Sequence, residues 1–245
     1  MTNPVLEDLR AEEDRLEAIL AGLPDDLWRA PSAAPGWSVA DVVLHLALSE
    51  EMVLATLGAA DPTLRLDRGG ATLDEVMDAQ VRSARDAPDV VFERWRRARL
   101  AALAALAVAD PAQPVAWAAT PLRPATLATT RLAEHWAHGL DVAGALGIDY
   151  PDTDRLRHIA WLAQRTLPYA FALAGVEAQP VQCVLTGPSG DRWELGPADA
   201  PSRIEGPAGA FCRVAAQRLR PEEAELRVVG PHAARALAVV RTYAA

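Results

Sequence analysis

Apolar residues recur at helical spacing from the start of the chain, and that period changes only near residue 175. Over residues 4 to 22, Val5, Leu9, Leu16, Ile19 and Leu20 form a stripe between Glu and Arg positions, which predicts an amphipathic helix. A Pro-rich connection, "LPDDLWRAPSAAPGW", leads to a second helix opening at "SVAD". Ser38 as N-cap with Asp41 three residues on makes a capping-box pattern, and the helix is expected to reach about Leu57. The segment "GAADPTLRLDRGGA" follows as a loop. Residues 72 to 108 read as a long helical region that Pro88 breaks or kinks. A loop with Pro111, Pro114, Pro121 and Pro124 leads into a further helix, whose end Gly144 and Gly147 mark. "DTDRLRHIAWLAQRTLPYAFALAG" predicts one more, with Pro168 near a bend.

After Gly175 the texture changes. "PVQCVLTGPSGDRWELG" alternates like a hairpin around a Gly-Pro-Ser-Gly turn, "AGAFCRVAAQRLR" reads as a short helix, "AELRVVG" as a strand and "PHAARALAVVRTYA" as a closing helix. The expected fold is therefore mainly α, with an α-helical bundle over residues 1–175 and a small α+β domain over residues 176–245.

Composition removes several functional classes. With 245 residues, 51% of them hydrophobic, the chain can bury a sizeable core. Its net charge of −9 opposes a sequence-independent grip on nucleic acid. All 24 basic residues are arginine, as in a GC-rich source. The two cysteines, Cys183 and Cys212, form no C-x-x-C and read as buried small hydrophobes. The acidic, helical N-terminus has no signal-peptide pattern, and no apolar run approaches the roughly 18 residues that span a bilayer. A cytoplasmic protein without membrane partners is expected.

Candidate chemistry centres on "TTRLAEHWAHGLDVAGALG", residues 129 to 147. On a helix, Glu134 and His138 lie about 40° apart on one face, with Asp141 about 20° to the other side of Glu134. Arg131 borders that face, and Leu132, Trp136 and Leu140 lie opposite. His135, about 100° from Glu134, points elsewhere and is expected to be no ligand. Periodicity alone leaves two readings open: a solvent-facing polar stripe, or part of a metal site. His45, in "SVADVVLHLALSEEM", has Val42, Leu48, Ser49 and Met52 as angular neighbours and is expected to point inward. Two His and one Glu are a known catalytic zinc set that leaves one position open. Residues at i and i+4 can bite one ion, and a neighbouring helix can supply the third ligand.

"PGWSVADVVLHL" resembles the Pro-x-Trp-Ser/Thr segment that opens the second helix of DinB-like metalloenzymes. "RLAEHWAHGLDVAGALG" is similar to the Glu-x-x-x-His-Gly-x-Asp segment of that family's mycothiol-dependent maleylpyruvate isomerase group. "RIEGPAGAFCRVAAQRLRPEEAELRVVGP" resembles the group's small C-terminal domain, itself similar to sterol-carrier folds. The resemblance implies one divalent metal, usually zinc, held by His45, Glu134 and His138. It also implies mycothiol as the thiol cofactor. Arg218 stands where related enzymes place a substrate-reaching arginine. Here the local pattern is "AAQRLR" rather than Gly-Arg, so Arg220 or Arg213 are alternatives. Asp41 is expected mainly as a helix cap, with support of the ligands as its lesser reading, and Asp141 as a residue orienting His138 or pairing with Arg131. Trp37 is expected to pack at the helix start.

The chain lacks Gly-x-Ser-x-Gly, Walker and G-x-G-x-x-G motifs, so a metal would act on something brought in. A low-molecular-weight thiol would be activated, because a bound dication lowers its pKa. The leading expectation is an isomerase or S-transferase acting on a small electrophile, as monomer or homodimer. The alternatives are a thiol-independent hydrolase or cyclase, a non-catalytic metal- or ligand-binding protein, and an Fe(II) oxygenase.

Overall fold

The computed structural model describes residues 4–58, 72–118 and 120–243. The expected loop after Gly58 (residues 59–71) lies outside them. The fold is mainly α with a small α+β part toward the C-terminal end. Helix α1 (Pro4–Leu20) buries Val5, Leu9, Leu16 and Leu20, most of the apolar stripe. A single turn, α2 (Asp25–Trp28), buries Trp28. Helix α3 (Val39–Thr56) starts at Ser38, whose hydroxyl accepts from the Asp41 N–H while the Asp41 carboxylate accepts from the Ser38 N–H. The region after residue 72 is two helices, α4 (Leu73–Ser83) and α5 (Pro88–Val108). Pro88 occupies the first turn of α5, where its missing N–H costs nothing, so it starts a helix instead of bending one. Helix α6 (Pro124–Leu146) also opens on proline and stops at Gly147, whose φ of 64° penalises any residue with a Cβ.

Helices α1, α3, α5 and α6 pack as a four-helix bundle. Leu16, Val42, Val43, Leu46, Trp95 and Val142 are part of its core. Gly139 permits a close approach on α6, since a Cβ there would overlap the Tyr150 phenol. The Tyr150 hydroxyl donates to Glu12 Oε1 at 2.6 Å, which fastens the segment after α6 to α1.

Contacts divide the chain after Tyr150 rather than near Gly175. The second unit begins at Pro151 and opens with α7 (Leu156–Arg165) and α8 (Leu167–Leu173), two helices where one bent helix was expected. Strands β1 (Val181–Thr186) and β2 (Arg192–Leu195) form the expected hairpin, with Thr186 opposite Arg192. Strand β3 (Ser202–Pro207) runs parallel to β1 with Val181 opposite Ser202, and leads into α9 (Ala208–Ala215). Strand β4 (Arg227–Val229) closes a sheet of order β2-β1-β3-β4, and α10 (Ala233–Val239) follows. The alternation pattern missed β3 because it ends on Gly206 and Pro207 and buries only Ser202 and Ile204. Helix α7 packs on β1, β2 and α9, and α8 on α10. The change of hydrophobic period thus marks where strands begin, while the unit begins earlier, with the helices that share its core. No described helix is long and apolar enough to cross a membrane.

Candidate metal centre

Three of the expected site residues meet inside the bundle. His45 comes from the middle of α3, and Glu134 and His138 come from consecutive turns of α6. His45 Nε2 lies 3.4 Å from Glu134 Oε2, and His138 Nε2 lies 3.6 Å from the same oxygen. The donor atoms of all three stand within 4.8 Å of one another. Tetrahedral ligands at about 2.0–2.1 Å from a zinc ion are separated by about 3.3–3.4 Å. These spacings therefore fit one small divalent cation. The inner face of α6 is not a solvent stripe, because Arg131, His138 and Asp141 are all buried. The opposite residues Leu132 and Trp136 are buried too, so α6 is enclosed on both sides.

Protonation states suit ligation. His138 Nδ1 lies 2.9 Å from Asp141 Oδ2; donation there fixes the tautomer that leaves Nε2 with a bare lone pair. Burial pulls the His45 pKa down to about 4, against the opposing pull of Glu134. Burial would push Glu134 upward, but the His45 hydrogen bond and the nearby charges of His138 and Arg131 win and hold it well below the usual carboxylate range. A neutral His45 and an ionised Glu134 are ligand forms. The Glu134 side chain keeps 24% exposure, so solvent touches the site at that residue.

Other expected residues fall elsewhere. Asp41 turns to Ser38 and to Arg85, which grips it with Nε at 2.7 Å and Nη2 at 2.9 Å. Its recorded partners are thus the helix cap and an arginine, with no imidazole among them. Trp37, expected as packing, places its ring 5.1 Å from that of His45 and 6.2 Å from that of His138. In the second unit, Arg213 forms a two-pronged pair with Asp152 at 2.8 Å, and Arg220 pairs with Glu223. Arg218 Nη1 donates to the Ala216 carbonyl at 2.7 Å. Both cysteines are buried, and burial pushes the Cys183 thiol up to about 12 and Cys212 upward as well. Neither supplies a thiolate.

A second His-and-carboxylate cluster, missed from the sequence, lies deeper: Glu13, Glu50 and His135. Trp95 Nε1 donates to His135 Nε2 at 3.2 Å, and His135 Nδ1 lies 3.0 Å from the Arg131 carbonyl. Arg131 Nε donates to Glu50 Oε1 at 2.7 Å, and Arg99 Nη1 stands 3.5 Å from Glu13. Both ring nitrogens of His135 are committed to these partners.

Comparisons with known proteins agree with this architecture. The family model described as mycothiol maleylpyruvate isomerase N-terminal domain matches residues 9–143. Two uncharacterized proteins of Mycobacterium tuberculosis, from strains CDC 1551 and H37Rv, are each 38% identical over 245 residues, covering 98% of this chain and 95% of theirs. Crystal structures of the mycothiol-dependent maleylpyruvate isomerase share the fold. One matches with a TM-score of 0.60 at 18% identity over 91% of each chain. A histidine-to-alanine mutant of it matches with a TM-score of 0.62 at 17% identity over the same share.

Proposed function

The chain belongs to the mycothiol maleylpyruvate isomerase family, and we propose that it is a divalent-metal enzyme that uses mycothiol to act on a small electrophile, as isomerase or S-transferase. The observation that carries this reading is the convergence of His45 Nε2 and His138 Nε2 on one oxygen of Glu134, at 3.4 and 3.6 Å. A cation held there, zinc by preference, supplies Lewis acidity that brings a thiol's pKa toward neutrality. The chain's own residues do the rest. Asp141 keeps His138 in the ligating tautomer, and burial keeps His45 neutral. Cys183 and Cys212 are sequestered with raised pKa values, so a nucleophilic sulfur has to come from outside. By resemblance, Arg218 is proposed to hold a carboxylate of substrate or thiol, a task suited to a guanidinium fork.

Calorimetry in two buffers of different ionisation heat tests this reading. Mycothiol added to zinc-loaded protein should bind with release of about one proton, because the thiolate is the ligand form. Binding to the His138→Ala protein should be much weaker. Arg218→Ala should raise KM more than it lowers kcat. Turnover of the physiological substrate without any thiol would sink the proposal and favour a hydrolase or cyclase.

A further inference from the structure

Trp37 stands between the metal centre and α4. Its ring lies 5.1 Å from that of His45, tilted by 44°, and 6.2 Å from that of His138, nearly parallel at 27°. The two imidazoles meet each other edge-on at 4.8 Å, so the three rings form one packed cluster. The indole itself is anchored: Trp37 Nε1 donates to Asp78 Oδ1, on α4, at 2.9 Å. The other Asp78 oxygen accepts from Arg82 Nε at 2.7 Å, one turn further along α4. Arg85, just past the end of α4, grips Asp41 in the cap of α3, the helix that carries His45. Two side-chain links thus pin the α4 segment across the start of α3, and one of them holds a ring against both histidines.

We propose that Trp37 is a positioning residue for the two histidine ligands and that α4 holds it in place through Asp78. The inference rests on the metal reading above. An imidazole can swing about its side-chain bonds unless neighbouring groups pack against it. A ring packed on both restricts that swing, so less freedom is lost when an ion binds. The electron-rich indole face also favours an imidazole whose charge rises on ligation. Hydrogen-bonded partners behind the ligands commonly account for 10–100-fold in metal affinity, and a packed ring is expected to act at the low end of that range.

Cobalt(II) binding to the full chain tests the proposal without any turnover. Affinity is read by competition with a chelating indicator, alongside quenching of tryptophan emission. Trp37→Leu should weaken cobalt binding about tenfold and remove the largest single share of the quenching. Asp78→Ala should weaken it a few-fold, while Asp78→Asn, which keeps an acceptor for the indole N–H, should stay near the unsubstituted protein. Asp78 is 39% exposed, so this pair of variants decides the matter even if Trp37→Leu fails to fold. Equal affinity and quenching in all variants would overturn the positioning role and leave the metal centre standing. Elemental analysis showing no metal uptake by the unsubstituted chain would overturn both.

Discussion

Two clusters of one histidine-and-carboxylate chemistry lie side by side on α6, and adjacent residues, Glu134 and His135, belong to different ones. In the outer cluster the donor atoms face one another and His138 is oriented from behind by Asp141. In the inner cluster the imidazole is fully engaged, although both Glu13 oxygens and Glu50 Oε2 are buried without a hydrogen-bond partner. Trp95 occupies one nitrogen of His135 and the Arg131 carbonyl the other, while Arg131 and Arg99 supply the positive charge that an ion would bring. The pKa shifts run in opposite directions. Glu134 is held low, whereas burial raises Glu13 and Glu50, with the charge of Glu50 adding at Glu13 and that of Glu134 at Glu50. The two clusters thus share donor types and spacing but differ in whether the imidazole nitrogens are already engaged and in contact with solvent, which reaches Glu134 and not His135.

The sharpest way to break this contrast is to delete donors from each cluster. Ala at His45, Glu134 or His138 should each strip nearly all bound metal, a loss of at least about 100-fold in affinity. His135→Ala should leave metal near one per chain while costing about 2–4 kcal/mol of stability, because it opens a cavity and strands the Trp95 N–H. Elemental analysis and denaturant melts read the two effects separately. Metal loss in His135→Ala, or full occupancy in His45→Ala, would exchange the roles of the clusters.

Next comes the charge of the inner cluster. Arg131 and Glu50 are a buried ion pair at 2.7 Å, and removing one partner of such a pair typically costs about 3–5 kcal/mol. Arg131→Met should destabilise by about that much. Adding Glu50→Leu should recover part of it, since a well-packed apolar pair is often neutral. No recovery in the double variant would show that the two residues do not act as a pair.

A third test is in pH dependence. Burial, with Arg131 beside it, lowers the His135 pKa from an ordinary 6.5 to about 3. The unfolded chain therefore binds a proton that the fold refuses. This contribution is complete above about pH 6.5 and is lost as pH falls toward 3, at up to about 1.4 kcal/mol per unit. His135→Gln should flatten the stability profile of the metal-free protein between pH 6.5 and 4 relative to the unsubstituted chain. A slope unchanged by that substitution would place the titration elsewhere.

What the sequence determined by itself is local. Ser38 with Asp41 set the start of α3, Pro88 and Pro124 the starts of α5 and α6, and Gly147 the end of α6, since caps and fixed φ act within a few residues. The i, i+4 spacing of Glu134 and His138 with an inward-facing His45 was legible for the same reason. Glu13 and Glu50 were not legible, because in "RAEEDRLEA" and "ALSEEM" they look like neighbours on a wet face. The fold buries both completely only because arginines from α5 and α6 arrive to meet them. Trp37, the reach of α4 through Asp78 and Arg85, and the unit boundary after Tyr150 likewise depend on contacts between segments distant along the chain. Only tertiary packing decided which polar groups would be solvated, neutralised by arginine, or left with lone pairs free to bind. A side chain's charge and protonation follow from what surrounds it, and the surroundings come from other helices.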